Sequence, residues 1–197
     1  MFLRRAEIRE LYEIPAKQEN IIEKVRSIMN ISIRQITEND PKIISDAFKE
    51  QGWDKPITLY ERYIVEQNNG ERVTLIAEVN GQFVGYVNVI WKSYYPAFRE
   101  KNIPEVNDFN VLLKYRRLGI GSKLMDRAEE IISERSSVAG IGVGVFSDYG
   151  NAQVLYVERG YVPDSKGIHN GQHYVEYGET VVIDHDIVLY LTKKLKN

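Results

Sequence analysis

The period of the apolar positions changes several times along the chain, and each change predicts an element. Ile31–Ile36 (ISIRQI) begins by alternating apolar with polar residues, the pattern of a strand. Asp40-Pro41 opens a helix running to about Glu50, with proline early in the first turn, where its missing N–H leaves no bond unmade. Pro56 to about Gln67 predicts a second helix, ended by Asn68-Asn69-Gly70. Arg72–Val79 and Gln82–Trp91 flank Asn80-Gly81, a pair suited to a two-residue hairpin turn. A short strand follows, roughly Val106 to Leu113. Beyond it Ile120, Leu124, Ala128, Ile131 and Ile132 fall three or four apart and predict an amphipathic helix. Val138–Phe146 (VAGIGVGVF) is apolar throughout and bounded by polar residues, as a buried strand is. Gln172–Tyr177 and Val181–Leu191 read as two further strands. The mixture predicts an α/β (α+β) domain over residues 31–197.

Residues 1–30 precede it as a helical extension. Arg4–Glu13 is one helical piece, and Pro15 separates it from Asn20–Met29, whose Ile21, Ile22, Val25, Ile28 and Met29 form a stripe. Asn20 suits an N-cap with Glu23 three residues on. This helix is expected to pack on its own domain; the alternative is an arm that covers a partner subunit or the substrate cleft, which leaves a homodimer open.

Composition narrows the classes. A chain of 197 residues is expected to form one domain with, at most, an extension. Net charge is −2, so no global attraction to nucleic acid or to an anionic membrane is expected. There is no cysteine, hence no disulfide, no thiolate metal site and no cysteine nucleophile. Charges are scattered through the first residues, unlike a secretory signal. The longest uncharged runs, Val79–Trp91 and Ser136–Ser147, fall short of the ~20 residues a membrane span needs. A soluble, cytoplasmic location is the expectation.

The candidate chemistry lies between the strand at Val106 and the helix at Ile120. Arg116, Arg117, Gly119 and Gly121 crowd this turn. A helix that opens on small residues presents unpaired N–H groups and a positive dipole end, which suits phosphate. Glycines let a diphosphate approach the backbone, and the arginines add charge. The dinucleotide fingerprint is not met, because Leu124 stands where its third glycine belongs. Nor is the P-loop, because the order here is Gly121-Ser122-Lys123.

Arg116-x-x-Gly119-x-Gly121 instead resembles the Arg/Gln-x-x-Gly-x-Gly/Ala turn of the GNAT superfamily of N-acetyltransferases. Further on, Asp148–Tyr161 (DYGNAQVLYVERGY) resembles the superfamily's Asn-x-x-(Ala)-x-x-Leu-Tyr-x-x-x-Gly-Phe/Tyr signature. Asn151, Leu155, Tyr156, Gly160 and Tyr161 carry that match, although Asn151 to Leu155 is closer-spaced than in some members. A helix and a strand separate the two motifs, as the superfamily requires, and the resemblance covers roughly Ile31 to Lys194.

The resemblance implies a single mixed, largely antiparallel sheet of about seven strands flanked by helices. It implies acetyl-CoA as acyl-donor cosubstrate, a primary amine as acceptor, direct transfer in a ternary complex and no metal. Backbone N–H groups of Arg116, Arg117, Leu118, Gly119, Ile120, Gly121 and Ser122 would take the pyrophosphate. Val111, Leu112 and Leu113 would end the strand that pairs with the pantetheine arm, and the N–H near Val111 or Leu112 would polarise the thioester. Asn151 would bond the same arm or cap its helix. Tyr156 is the expected acid for the departing thiolate, since a phenol of pKa about 10 is protonated at neutral pH. Glu105 lies near where some members carry a catalytic glutamate; strand alternation would put it on one face with Asn107, Phe109 and Val111, and turn Asp108 away. Trp91–Phe98 (WKSYYPAF) either borders the acceptor or packs its own aromatics. Asp184-His185-Asp186 reads as a solvated edge, because adjacent strand residues do not converge on one ion. The acidic tail, with Glu176 and Glu179, favours a basic acceptor. The same fold could also serve as an acyl-CoA sensor without turnover, or use a different acyl-CoA.

Overall fold

The computed structural model describes residues 29–195. The two helices expected before Asn30 lie outside the described residues, apart from Met29. A seven-stranded sheet runs through the domain in the order β1-β2-β3-β4-β5-β7-β6. Its strands are β1 (Ile31–Gln35), β2 (Arg72–Val79), β3 (Gln82–Ile90), β4 (Glu105–Val111), β5 (Val138–Gly144), β6 (Val162–His169) and β7 (Val188–Lys194). All neighbours are antiparallel except β4 and β5.

Two helices cover one face, α1 (Asp40–Glu50) and α2 (Ile57–Asn68). Ile44 and Phe48 of α1 and Tyr60 and Tyr63 of α2 pack there against Ile76 and Tyr86 of the sheet. The opposite face is covered by α4 (Ile120–Ser133), whose expected stripe is buried, joined by Met125. Beside it lies α5 (Gly150–Glu158). Arg159, just past α5, bonds Asp126 and Glu129 of α4, and Lys193 of β7 reaches the same Glu129. The hairpin turn is as expected: Asn80 and Gly81 both have positive φ, 51° and 79°, as a type I′ turn requires.

Three expectations are corrected. Residues 172–177 form no strand and 181–191 only its last part, where β7 begins at Val188; β6 lies earlier, and the segment between them is a loop carrying one isolated bridge, His169 to Tyr174. The apolar residues that mimicked a strand, Tyr177, Val182 and Ile183, are exposed. β6 escaped notice because it is a mostly exposed edge interrupted by Pro163, and by Ser165 and Gly167 at φ 68° and 82°. Second, Trp91–Phe98 is not all loop: Pro96–Glu100 forms a short helix, α3. Its aromatics mainly pack inward, with Tyr95 stacked at 3.6 Å on Tyr190 and Phe98 buried under Gly140; Tyr94 alone among the neighbouring rings is well exposed. Third, β4 ends at Val111 and its alternation is broken, as described below.

Gly140 has a packing reason to be glycine. A Cβ there would run into the Phe98 ring. Gly140→Ala is expected to cost about 1–3 kcal/mol, the range for overpacking a filled core. Urea unfolding measures this, and Phe98→Leu in the same chain should recover part of the loss.

Candidate active site

The ladder between β4 and β5 is short. Glu105 pairs with Gly140 and Val106 with Ile141, and no pair follows. Both strands continue, β4 to Val111 and β5 to Gly144, so they part and leave unpaired edges facing one another.

Just past the last pair, β4 carries a bulge. Asn107 pairs with Asn88 and Asn110 with Tyr86, so Asp108 and Phe109 together oppose Val87. Asp108 takes φ 43°, uncommon for a residue with a side chain. The extra residue resets the faces. Phe109 and Val111 now pack on the α4 side, whereas Asp108 and Asn110 turn toward α1 and α2. Asp108 therefore does not point away from Asn107 as strict alternation predicts, and Glu105 does not share a face with Phe109 and Val111.

At the end of β4 the backbone accounts for itself. Leu112 N–H donates to Val84 O (2.9 Å) and Leu113 N–H to Gln51 Oε1 (3.0 Å), so neither is open to a ligand. Leu112 is also buried beneath α1 and α2. Because successive N–H groups of a strand point to opposite edges, that of Val111 faces the gap. A 3-10 turn, Leu113–Tyr115, leads into the arginines. Arg116 is held by Val111 O (Nε donating, 3.2 Å) and lies over the Trp53 ring. Arg117 has φ 65° and Gly119, the N-cap of α4, has φ 84°. Lys123 N–H makes the first return bond, to Gly119 O. The N–H groups of Ile120, Gly121 and Ser122 precede it and have no partner within the helix. Ile120 is buried and anchors the turn, Leu118 packs on the same core, and a Cβ on Gly121 would reach 3.0 Å from the Phe109 ring. Asn151 Oδ1 accepts from Arg117 Nη1 (3.2 Å), which joins the first turn of α5 to this loop.

Tyr156 lies on α5, 5 % exposed, against the core under α4. Burial, and then the neighbouring Tyr149, push its pKa up, so the phenol stays protonated. Glu105 is equally buried, but Val106 faces the α4 core and Glu105 the other side. Its carboxylate accepts from Ser93 Oγ (2.5 Å) and Asn107 Nδ2 (3.2 Å). Burial raises its pKa against those two hydrogen bonds. Tyr156 and Glu105 thus belong to opposite faces, related only through the gap between β4 and β5.

Sequence reasoning missed the group at the bulge. Asp108 Oδ2 accepts from Tyr63 Oη (2.7 Å) and Tyr86 Oη (2.6 Å), and Oδ1 from Asn110 Nδ2 (2.8 Å) and Lys55 Nζ (3.1 Å). Burial, followed by the charges of Asp108 and Asp148, raises the pKa of Tyr149, which sits beyond β5. No spacing announces these five residues, because they come from a loop, a helix and two strands. Asp184-His185-Asp186 lies in the β6–β7 loop, with the His185 ring against Phe146 and Tyr149. Among the described residues no cluster of acidic or histidine side chains is arranged to hold a metal ion, and no helix is long and apolar enough to cross a membrane.

Comparison with known proteins decides the family. Residues 34–161 match the Acetyltransferase (GNAT) family. The chain belongs to the GNAT family. It is 37% identical over 71 residues to an uncharacterised N-acetyltransferase of Archaeoglobus fulgidus, covering 36% of this chain and 48% of that one. It is 30% identical over 106 residues to the uncharacterised N-acetyltransferase YhfO of Bacillus subtilis, covering 51% and 66%. The chain thus spans between about half and two thirds of the length of these relatives. Among solved structures, yncA of Salmonella typhimurium, determined with its cofactor acetyl-CoA, superposes with TM-score 0.59 at 18% identity over 84% of this chain and 94% of its own. An N-acetyltransferase of Staphylococcus aureus Mu50 gives TM-score 0.63 at 14% identity over 85% and 99%. Both share the GNAT fold.

Burial of Glu105 has a pH signature. A carboxyl whose folded pKa is raised contributes its stability fully below the unfolded value, about 4.3, and loses it as pH rises through the folded value. Glu105→Gln removes that titration. The variant is expected to gain stability over the parent as pH rises from 4 to 7, and chemical unfolding across that range measures the gap.

Proposed function

We propose that this GNAT-family chain is an N-acetyltransferase that moves the acetyl group of acetyl-CoA directly to a primary amine in a ternary complex. The observation that carries the reading is the gap between β4 and β5, opening beside the unpaired N–H groups of α4. A diphosphate fits there by charge and shape: the first turn of α4 offers donors and a positive dipole end, left-handed Gly119 brings the backbone outward, and Arg116 and Arg117 flank it. Val111 N–H and the unpaired edge of β4 suit an extended amide-bearing arm, which would complete the interrupted ladder. Asn151 adds a polar group from the α5 side.

Acetyl-CoA supplies the activated acyl group. The residues of the chain do the rest. Val111 N–H is placed to stabilise negative charge growing on the thioester oxygen. Tyr156, kept protonated by burial, donates its proton to the leaving sulfur. Glu105 is the candidate to accept a proton from the amine by way of water, its carboxyl being buried and its pKa raised by that burial.

Acetyl-CoA and CoA are each expected to raise the melting temperature by mass action. Gly119→Val should abolish both shifts, since it places a β-branched side chain at φ 84° and fills the approach to the helix N-terminus. Tyr156→Phe should keep both shifts and lower kcat about 10²-fold or more, the usual worth of a positioned acid. Binding with full turnover in Tyr156→Phe removes Tyr156 from the mechanism; no shift with either thioester or thiol overturns the reading.

A further inference from the structure

At the bulge on β4 a carboxylate, a phenol and two aromatic rings gather around one ammonium, that of Lys55. Lys55 belongs to the connection between α1 and α2. Its ammonium donates to Asp108 Oδ1 at 3.1 Å and to Tyr86 Oη at 2.8 Å. It also lies 5.3 Å from the centre of the Phe48 ring and 5.4 Å from that of Tyr86. A carboxylate, a phenol and two aromatic faces are what binds a primary alkylammonium. Tyr63 Oη, bonded to the other oxygen of Asp108, fixes the carboxylate.

Three observations set this apart from an ordinary ion pair. Asp108 is a non-glycine residue held at φ 43°, a strained conformation of the kind that clusters where a side chain must be aimed. It stands two residues past Val106 of the last β4–β5 pair, at the mouth of the gap assigned to the thioester. The lysine comes from a short non-helical connection, Gln51–Pro56, so withdrawing it unmakes no helical bond.

We propose that the Asp108 site is the subsite for the acceptor's ammonium, that the acceptor is a primary alkylamine on an unbranched stem, and that Lys55 is a resident stand-in which the acceptor must displace. Lys55 thereby sets a threshold on acceptor binding. The inference rests on the acetyltransferase reading. Turnover balances on the residues already described: the bound ammonium first gives one proton by way of water to Glu105, the neutral amine then forms the N–C bond as the C–S bond breaks, and the second proton leaving the nitrogen replaces the one that Tyr156 gives to the CoA sulfur.

Lys55→Ala removes three carbons and the ammonium, the outline of n-propylamine, which is therefore the probe. With acetyl-CoA present, Lys55→Ala is expected to release CoA thiol with n-propylamine at a KM at least tenfold below that of the parent. Asp108→Asn in the Lys55→Ala background should raise that KM at least tenfold. The parent reports the same site without relying on the alanine variant: n-butylamine at high concentration should drive saturable thiol release, and Asp108→Asn should raise its KM by a similar factor. Acetyl-CoA thermal shifts on every variant show that the fold and cosubstrate site are intact. Retained shifts with no amine-dependent thiol release, or release indifferent to Asp108→Asn, overturn the inference alone. No shift with the parent overturns the acetyltransferase reading and this inference with it.

Discussion

Two residue pairs, Glu105 with Gly140 and Val106 with Ile141, join one half of the sheet to the other. Everything at the candidate site depends on the ladder stopping there. Parallel strands that continued side by side would spend their N–H and C=O groups on each other. Here β4 and β5 no longer pair with one another beyond Val106 and Ile141, although Arg116 takes Val111 O and Gln153 takes Gly144 O, and the helix that follows β4 delivers a set of free donors at one end of the same gap. The cores on the two faces hold the halves apart. Phe109 and Val111 are pinned under α4, Leu112 under α1 and α2, and Tyr149 fills the space beside Gly144 at the end of β5.

The bulge at Asp108 divides labour between the faces. Without the extra residue, Asp108 would be directed into the apolar core under α4, where an unpaired carboxylate costs several kcal/mol. With it, four donors reach the carboxylate, and Phe109 takes the apolar position and closes on Gly121. One irregularity thus serves both sides: it packs α4 on one face of the sheet and gathers polar groups on the other.

How much of this was legible in the sequence follows from which physics each part obeys. The hairpin at Asn80-Gly81 and the stripe of α4 depend on local rules, and both were readable. The tight turn before α4 was readable too, because Gly119 at φ 84° is demanded by backbone geometry rather than by distant contacts. The tail strands were not: β6 is exposed along almost its whole length, so neither of its faces imposes the alternation that one buried face would, whereas Val182 and Ile183 imitate a strand while lying exposed. Asp108 was misread for a sharper reason. A single inserted residue inverts every later side chain of a strand, and nothing in EVNDFNV marks where the insertion falls. Its partners Lys55, Tyr63 and Tyr86 lie 53, 45 and 22 residues away, beyond any local pattern.

The broken geometry of β6 has a meaning for the whole particle. An edge strand with a free, regular row of donors and acceptors is a template on which another chain can grow. In β6 Pro163 lacks a donor, and Ser165 and Gly167 turn the backbone into left-handed conformations, with Lys166 between them. A second molecule approaching that side meets no continuous register to copy. Growth by adding strands edge to edge is blocked at this rim, which leaves the protein free to carry an open gap in the middle of its sheet without inviting the same accident at this border.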